Sequence, residues 1–300
     1  MKFKEKTIQN MIVSLAYLFL IWYNLNNVKN YSERIRTMRA DLFLHKVGLA
    51  KSRSHAASLI RGGVTVHGKL IKKPSEDVAD DTPLTAIHVQ NPSKYVSRGG
   101  IKLEAAISVF SPEITGKVAL DLGASTGGFT DCLLQNGAVR VYAVDVGHGQ
   151  LDPTLADDAR VISMEGTNAR TLTPEMLGEV CDLAVSDLSF ISQALIYHTV
   201  ALNVKKGGEF ISLIKPQFEA GKEALNKNGI VKDRKTHVSV IRGLFEAAEK
   251  LGLYPEALAP SPIEGGDGNR EYLALFRIGE KRETAPIDIM KIVYDTPKGE

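Results

Sequence analysis

The sequence predicts an α/β fold with two domains, in which a mostly parallel doubly wound sheet with an antiparallel last strand follows a small α+β domain. Three observations support this prediction: apolar runs of strand length alternate with helical stretches from residue 117 onward, a glycine-rich turn follows the first run, and a short basic segment precedes them. The 300 residues are 44% hydrophobic and 24% charged, a composition typical of globular proteins. A fibrous or largely disordered chain is therefore excluded.

Positive charge is concentrated in one segment. Residues 39–75 contain eight basic side chains and one acidic one, whereas residues 76–300 are rich in acidic side chains, so the net charge of +2 hides an uneven distribution. This pattern predicts a part that binds a polyanion, attached to a part with another task. The two cysteines, Cys132 and Cys181, lack the spacing of a disulfide framework or a zinc site, which favours a cytoplasmic protein with no metal.

The first 37 residues are predicted to be an extension that the fold does not need. Residues 11–23 form an apolar run after three lysines, but a bilayer span needs about 20 residues and no small-residue cleavage site follows the run. The simplest interpretation is an upstream segment before a fold that begins at Met38. A packed or interfacial helix and a membrane anchor remain open alternatives.

Residues 38–95 have the pattern of a small basic domain. One helix is expected to stop at Gly48, a second at Gly62, and the alternating residues 64–66 predict a strand. Basic side chains on or beside the second helix can contact phosphates, as can the helix N-terminus. The candidate RNA contacts are Arg39, Lys51, Arg53, Arg61, Lys69 and, at the start of the next domain, Arg98.

The small domain has a close resemblance to a known family. The stretch R-A-D-L-F-L-H-K-V-G-L-A-K-S-R-S-H-A-A-S-L-I-R-G-G-V-T-V-H-G-K, residues 39–69, resembles the RNA-binding domain first seen in a ribosomal small-subunit protein and shared by pseudouridine synthases. The resemblance implies binding of structured RNA through its shape and backbone, which agrees with the basic charge.

Residues 96–280 are predicted to form the larger domain, and residues 281–300 a C-terminal tail. The predicted buried strands lie at 117–123, 140–146, 160–166, 181–189 and 208–216. Because these runs are apolar on both faces and are separated by helices, we expect a parallel sheet covered on both sides. Two strands with no helix between them follow the helix at 238–252, which predicts a closing antiparallel pair.

The turn D-L-G-A-S-T-G-G-F-T-D, residues 121–131, predicts a nucleotide-type cofactor site, because glycines after the first strand let a ligand approach the backbone. Its spacing differs from the G-x-G-x-x-G of dinucleotide enzymes, and an acidic residue ends the second strand, where it can hold ribose hydroxyls. This combination favours S-adenosylmethionine over NAD. The candidate cofactor contacts are Asp121, Gly123, Ser125, Gly127, Asp145 and Asn168, although a turn-forming role for the asparagine is equally open.

Four charged residues stand where apolar packing is otherwise expected. Lys102 opens an apolar helix, Asp187 and Lys215 end strands, and Glu271 begins the last strand. Each one alone is typical of a solvated or ion-paired residue. Three of them fall at strand ends, the active rim of this fold, which makes them candidate catalytic residues.

From Met38 to about residue 279, the chain resembles the TlyA (hemolysin A) family, whose Rossmann-like catalytic domain is similar to FtsJ-type enzymes. The motifs S-R-G-G-I-K-L, D-L-G-A-S-T-G-G-F-T-D, V-S-D-L-S-F-I-S, L-I-K-P-Q-F-E and G-G-D-G-N-R-E-Y are all complete. The resemblance maps the family's Lys-Asp-Lys-Glu tetrad onto the four charged residues. It implies S-adenosylmethionine-dependent 2′-O-methylation of cytidines in small- and large-subunit ribosomal RNA, with no stable protein partner and no membrane contact of the body.

One mechanistic hypothesis is that Lys215 positions and deprotonates the ribose hydroxyl, with Lys102 as the neighbouring cation that lowers its pKa. Asp187 and Glu271 would then orient the two ammonium groups. The opposite assignment, in which Asp187 takes the proton, stays open. Three other classes compete: a non-catalytic RNA-binding protein, a membrane-active hemolysin and an NAD-dependent oxidoreductase. The complete tetrad argues against the first, and buried-sheet strands argue against the second.

Overall fold

The protein is described here by a computed structural model that covers residues 36–50, 53–89, 94–265 and 268–295. The predicted extension therefore lies almost entirely outside the described residues. The chain divides into two compact units, Met1–Pro92 and Ser93–Glu300.

Within residues 36–50 and 53–89, the small unit contains two α-helices and five short strands. Its elements are β1 (Thr37–Arg39), α1 (Ala40–Lys46), α2 (Arg53–Gly63), β2 (Val64–Val66), β3 (Lys69–Ile71), β4 (Asp77–Ala79) and β5 (Ile87–Val89). Strand β2 lies between β3 and β5 in a three-stranded antiparallel sheet, and β1 pairs with β4. The helices pack together around Phe43 and Leu44, which are fully buried. The predicted two-helix, few-strand arrangement is confirmed.

The large unit is built on a seven-stranded sheet. Its strands are β6 (Val118–Leu122), β7 (Arg140–Asp145), β8 (Val161–Glu165), β9 (Cys181–Ser186), β10 (Val204–Ile214), β11 (Leu253–Pro260) and β12 (Tyr272–Ile278). Its helices are α3 (Arg98–Phe110), α4 (Gly128–Gln135), α5 (Pro153–Ala156), α6 (Pro174–Leu177), α7 (Tyr197–Asn203), α8 (Arg234–Glu249) and α9 (Ile289–Asp295).

The order of strands across the sheet is β11-β12-β10-β9-β6-β7-β8. Strands β10, β9, β6, β7 and β8 run parallel, whereas β12 is antiparallel to both of its neighbours. This confirms the predicted mostly parallel sheet and its antiparallel closing pair. Chain order reverses between β6 and β9, and in such sheets the ligand crevice lies beyond the carboxyl ends of the strands at that reversal.

Both faces of the central strands are covered, which explains why these strands are mostly apolar. One buried cluster includes Leu120, Tyr197 and Phe276, and the other includes Leu133, Val185 and Leu275. Alternating side chains of each strand enter opposite clusters, because successive side chains in a strand point to opposite faces.

The predicted tail contains a packed helix. In α9, Val293 is fully buried and Ile289 is nearly so, and both belong to the larger of the sheet's two clusters. The Arg234 guanidinium at the start of α8 lies over the Tyr294 ring, 5.6 Å from its centroid. Residues 289–295 are therefore part of the large unit's core.

Candidate active site

The first charged pair of the site joins Lys102 to Glu271. Lys102 projects from α3 into a buried environment and Glu271 directly precedes β12; their side chains are 9% and 3% exposed. Lys102 Nζ donates to Glu271 Oε2 at 2.5 Å. Two charges are tolerated inside a protein only when each compensates the other, so this pair is held by mutual attraction in a place that strongly penalises a lone charge.

The second charged pair joins Lys215 to Asp187, which follow β10 and β9. Lys215 Nζ lies 2.6 Å from Asp187 Oδ1, with angles outside hydrogen-bond geometry, and donates to Ser189 Oγ at 2.9 Å. The lysine side chain is 10% exposed and the aspartate side chain 22%. This pair is therefore more accessible than the first.

Strand pairing brings the two pairs to the same end of the sheet. In the β10–β12 ladder Ile214 lies opposite Tyr272, so the next residues outward, Lys215 and Glu271, leave adjacent strands together. Strand β9 lies on the other side of β10. Helix α3 also approaches this end, because a Cβ on its Gly99 would lie 3.7 Å from Asp187 Oδ2.

A cavity of about 180 Å³ opens beside the second pair. The glycine-rich turn lines one side of it through Gly123 and Ser125, and Asp187 and Lys215 line the other. Gly123 has φ +88°, and a Cβ there would lie 2.9 Å from the Asp187 carbonyl oxygen. A side chain at this position would therefore push the turn away from the strand that carries the aspartate.

Asp145 fixes the shape of the turn. One of its carboxylate oxygens accepts the Ser125 backbone N–H at 2.9 Å, and the other accepts the Gly147 N–H at 2.7 Å. Ser125 itself has φ +47°, a left-handed conformation that the hydrogen bond helps to hold. Because a carboxylate oxygen has two lone pairs, each oxygen can still accept a ligand hydroxyl.

Asp121 is a fully buried carboxyl group behind the turn. Thr130 Oγ1 donates to Asp121 Oδ2 at 2.7 Å, while Oδ1 has no hydrogen-bond partner among the described residues. Burial raises the pKa of Asp121 to about 7, and the nearby Asp187 charge acts in the same direction. The orphaned oxygen identifies a place where a donor group would be stabilised.

Two of the candidate cofactor residues, Gly127 and Asn168, also have local structural roles. Gly127, at φ +91°, is the N-cap of α4, and a Cβ on it would lie 2.3 Å from the Leu155 side chain, so this glycine permits close packing. Asn168 is exposed, and its Oδ1 accepts the Arg170 N–H at 3.0 Å, which is the turn-forming role.

The candidate RNA residues fall into three groups. Arg39 and Arg53 both bind the buried Asp41, with Nη2 to Oδ2 distances of 2.9 and 3.2 Å. The hydrogen bond from Arg39 lowers the pKa of Asp41 to about 2, so the carboxylate remains charged and holds both arginines at the surface. Lys69 and Arg98 are exposed. Lys51 and the Arg61 side chain lie outside the described residues.

Phe190 is an aromatic residue near the cavity that the sequence does not distinguish from core. It follows Ser189, is 86% exposed and has φ +67°, which is uncommon for a bulky residue. Its ring centroid lies 5.0 Å from that of Phe218, whose ring is 5.8 Å from Lys215 Nζ. Exposed aromatic rings beside a charged site are suited to stacking on a planar ligand.

Gln193 ties together the loops that carry the second pair. Its Oε1 accepts from Ser186 Oγ at 2.9 Å, its Nε2 donates to the Leu213 carbonyl at 3.1 Å, and its backbone N–H donates to Glu219 Oε1 at 2.8 Å. These partners flank Asp187 and Lys215 in sequence. The network is buried and holds the two strand ends at a fixed separation.

The described residues contain neither a cluster of metal ligands nor a membrane-spanning helix. Across the described ranges 36–50, 53–89, 94–265 and 268–295, no group of three or more His, Cys, Asp and Glu side chains is placed to hold a metal ion. In the same part of the chain, no helix has the length and apolar character needed to cross a membrane.

Comparison with known proteins defines the class and then the family. The FtsJ-like methyltransferase family matches residues 95–278, and the S4 domain matches residues 38–81. The chain is 41% identical over 243 residues to the 16S/23S rRNA (cytidine-2'-O)-methyltransferase TlyA of Mycobacterium tuberculosis, which covers 81% of this chain and 90% of the relative. It is 36% identical over 253 residues to the 23S rRNA (cytidine-2'-O)-methyltransferase TlyA of Campylobacter jejuni, with 78% and 97% coverage.

A solved structure from Streptococcus thermophilus, described as a candidate hemolysin, has a TM-score of 0.69 and 39% identity. The match covers 87% of this chain and 96% of that one. The chain therefore belongs to the TlyA (hemolysin A) family of FtsJ-like methyltransferases, as its motifs predict.

Proposed function

We propose that the protein is a cytoplasmic, S-adenosylmethionine-dependent methyltransferase that modifies the ribose 2′-oxygen of cytidines in ribosomal RNA. The observation that carries the proposal is the placement of two lysine–carboxylate pairs at the same end of the sheet, the more accessible one lining a glycine-bordered cavity. The names of the Mycobacterium and Campylobacter relatives give the same reaction. The small unit matches the S4 domain, which supports RNA as the substrate.

The glycine-rich turn has the features that S-adenosylmethionine requires. Its Gly123 and Ser125 line the cavity, Asp145 retains acceptor capacity for hydroxyls, and Asp121 Oδ1 offers a buried acceptor for an ammonium group. When bound, S-adenosylmethionine supplies an electrophilic methyl group on a positively charged sulfur. We infer that these residues would hold the cofactor beside the cavity that Lys215 lines.

The second charged pair is proposed to hold and deprotonate the substrate hydroxyl. Asp187 Oδ1 lies 2.6 Å from Lys215 Nζ, and the charge of Lys102 is compensated by its own partner Glu271. We therefore assign the proton to Asp187, the assignment that the sequence leaves open. A carboxylate suffices because the hydroxyl becomes strongly acidic as its oxygen forms the new bond to carbon. Lys215 orients the hydroxyl oxygen, and the buried Lys102–Glu271 pair holds α3 and the start of β12 together beside it.

Phe190 is proposed to stack on the base of the target nucleotide or of its neighbour. An 86% exposed aromatic ring beside the Lys215 loop has no other described partner than Phe218. A strained backbone conformation at an exposed position is a feature of functional sites. Base–aromatic stacking contributes about 1–3 kcal/mol per base, enough to hold an unstacked nucleotide in place.

The proposal is tested by transfer of labelled methyl from S-adenosylmethionine to purified bacterial ribosomal subunits. The wild-type protein is expected to label RNA, and Lys215→Ala to lose transfer while it retains cofactor binding. Assaying the small and large subunits separately shows which of them is modified. Wild-type turnover in the Lys215→Ala variant would reject the assigned site, and cofactor binding with no transfer to either subunit would reject the substrate.

A further inference from the structure

A loop of the large unit carries exposed lysines with no ionic partner. Lys222, Lys227 and Lys232 are all exposed, and none of them forms an ion pair with a described residue. Some other surface cations of this unit are paired, for example Lys94 with Glu104 and Arg140 with Glu179. We call residues 222–232 the lysine loop.

The lysine loop is held in one conformation by its own backbone and by a buried asparagine. Leu225 and Val231 form an antiparallel bridge, and Asn226 Oδ1 accepts two backbone N–H groups within the loop, at 2.8 and 3.0 Å. Asn269, only 3% exposed, donates to the Gly229 carbonyl at 3.0 Å and accepts the Val231 N–H at 3.2 Å. A loop fixed in this way loses little conformational entropy when it binds a partner.

The same contacts connect the lysine loop to the candidate active site. His237 Nε2 lies 2.9 Å from the Val231 carbonyl, and its Nδ1 lies 3.0 Å from Tyr272 Oη. Burial lowers the pKa of His237, so the neutral ring donates from Nε2 to the carbonyl and accepts the tyrosine hydroxyl at Nδ1. Tyr272 directly follows Glu271, and the loop begins seven residues after Lys215. The loop therefore has a defined position relative to both charged pairs.

We propose that the lysine loop is a second RNA contact of the protein, which binds backbone phosphates of the strand that flanks the target nucleotide. The inference rests on the proposed function and adds a second RNA contact in the large unit. The RNA contacts predicted from the sequence lie in the small unit and at Arg98. Lysine ammonium groups bind phosphates as point charges, and three unpaired ones on a fixed loop provide a local positive site in an acid-rich part of the chain. Phosphate contacts orient the RNA without reading its sequence.

The test compares two triple variants of the full-length protein with the same change in charge. The loop variant is Lys222→Gln with Lys227→Gln and Lys232→Gln. The control variant changes exposed lysines near the opposite end of the sheet and of α8, a helix about 24 Å long: Lys206→Gln, Lys250→Gln and Lys281→Gln. The affinity for ribosomal subunits is measured between about 50 and about 200 mM salt, without cofactor.

Each lost phosphate contact reduces the slope of log affinity against log salt by about 0.7–0.9, so the loop variant is expected to lose about 2–3 from that slope. The control is expected to keep the wild-type slope. In methyl transfer, the loop variant is expected to show a raised KM for RNA with kcat and cofactor affinity unchanged. Equal slopes for the two variants would overturn the proposal, as would a wild-type protein without salt-dependent binding to the subunits.

Binding to vesicles that contain anionic lipid is measured in parallel. Loop-dependent vesicle binding together with unchanged RNA slopes would assign the lysines to a membrane surface and overturn the RNA proposal. The affinity measurement needs no catalytic turnover. A salt slope that decreases in the loop variant, together with no methyl transfer by the wild-type protein, would support RNA binding by the lysine loop and reject the proposed function.

Discussion

A double-mutant cycle on Lys102 and Glu271 separates the stability of the buried pair from its contribution to the reaction. Their side chains are 9% and 3% exposed and their charged atoms are 2.5 Å apart, so either single replacement, Lys102→Met or Glu271→Leu, leaves an uncompensated buried charge. Such a loss costs about 3–5 kcal/mol. For a unit of this size we expect a Tm decrease of about 6–20 °C, since about 2–4 °C corresponds to each kcal/mol.

The double variant Lys102→Met with Glu271→Leu is expected to recover most of the lost stability, because an apolar pair of similar volume carries no desolvation penalty. Methyl transfer is expected to stay low in all three variants, since none retains the buried ion pair between Lys102 and Glu271. Thermal unfolding followed by circular dichroism gives the Tm, and labelled methyl transfer gives the activity. A single variant as stable as the wild type, or an active double variant, would refute the reasoning.

Three further predictions concern Lys215, the exposed ring of Phe190 and the buried carboxyl group of Asp121. Lys215→Arg is expected to retain measurable methyl transfer in steady-state assays, because an arginine keeps the positive charge beside Asp187 but cannot accept a proton. Complete loss of transfer would instead identify the lysine as the base. Phe190→Leu is expected to lower kcat/KM for RNA about 5- to 150-fold, because about 1–3 kcal/mol of stacking energy is lost. Cofactor binding, measured by calorimetry, is expected to be unchanged. An unchanged kcat/KM would show that the Phe190 ring does not contribute to substrate binding. The pKa of Asp121 is raised by burial from 3.8 to about 7, so the folded state binds that proton more tightly and stability falls as the pH rises across this range. Asp121→Asn is expected to flatten that part of a pH series of unfolding midpoints, and an unaltered pH dependence would contradict the assignment.

The fold was predictable because its signals are local in sequence. Strands with both faces buried, such as 118–122 and 181–186, are continuous apolar runs, and the glycine turn lies directly after the first of them. The charged residues at strand ends could be identified for the same reason, since a lysine or aspartate at the end of an apolar run is unusual. These features depend on neighbours along the chain.

The pairing inside the site was not predictable from the residues. Lys102 and Glu271 are 169 positions apart, and they meet only because helix α3 packs near β12. The role of Lys102 as a cation that acts on Lys215 stays a prediction; in the structure its charge is paired with Glu271. Gln193 carried no sequence signal either, because its three partners come together only after the strands align.

The most direct measurement of the central claim is mass spectrometry of nucleosides from ribosomal subunits methylated by the purified protein. We expect one methylated product, 2′-O-methylcytidine. It should be present after treatment with the wild-type protein and missing after treatment with Lys215→Ala. A methyl group on a base, or on the ribose of another nucleoside only, would contradict the proposed function.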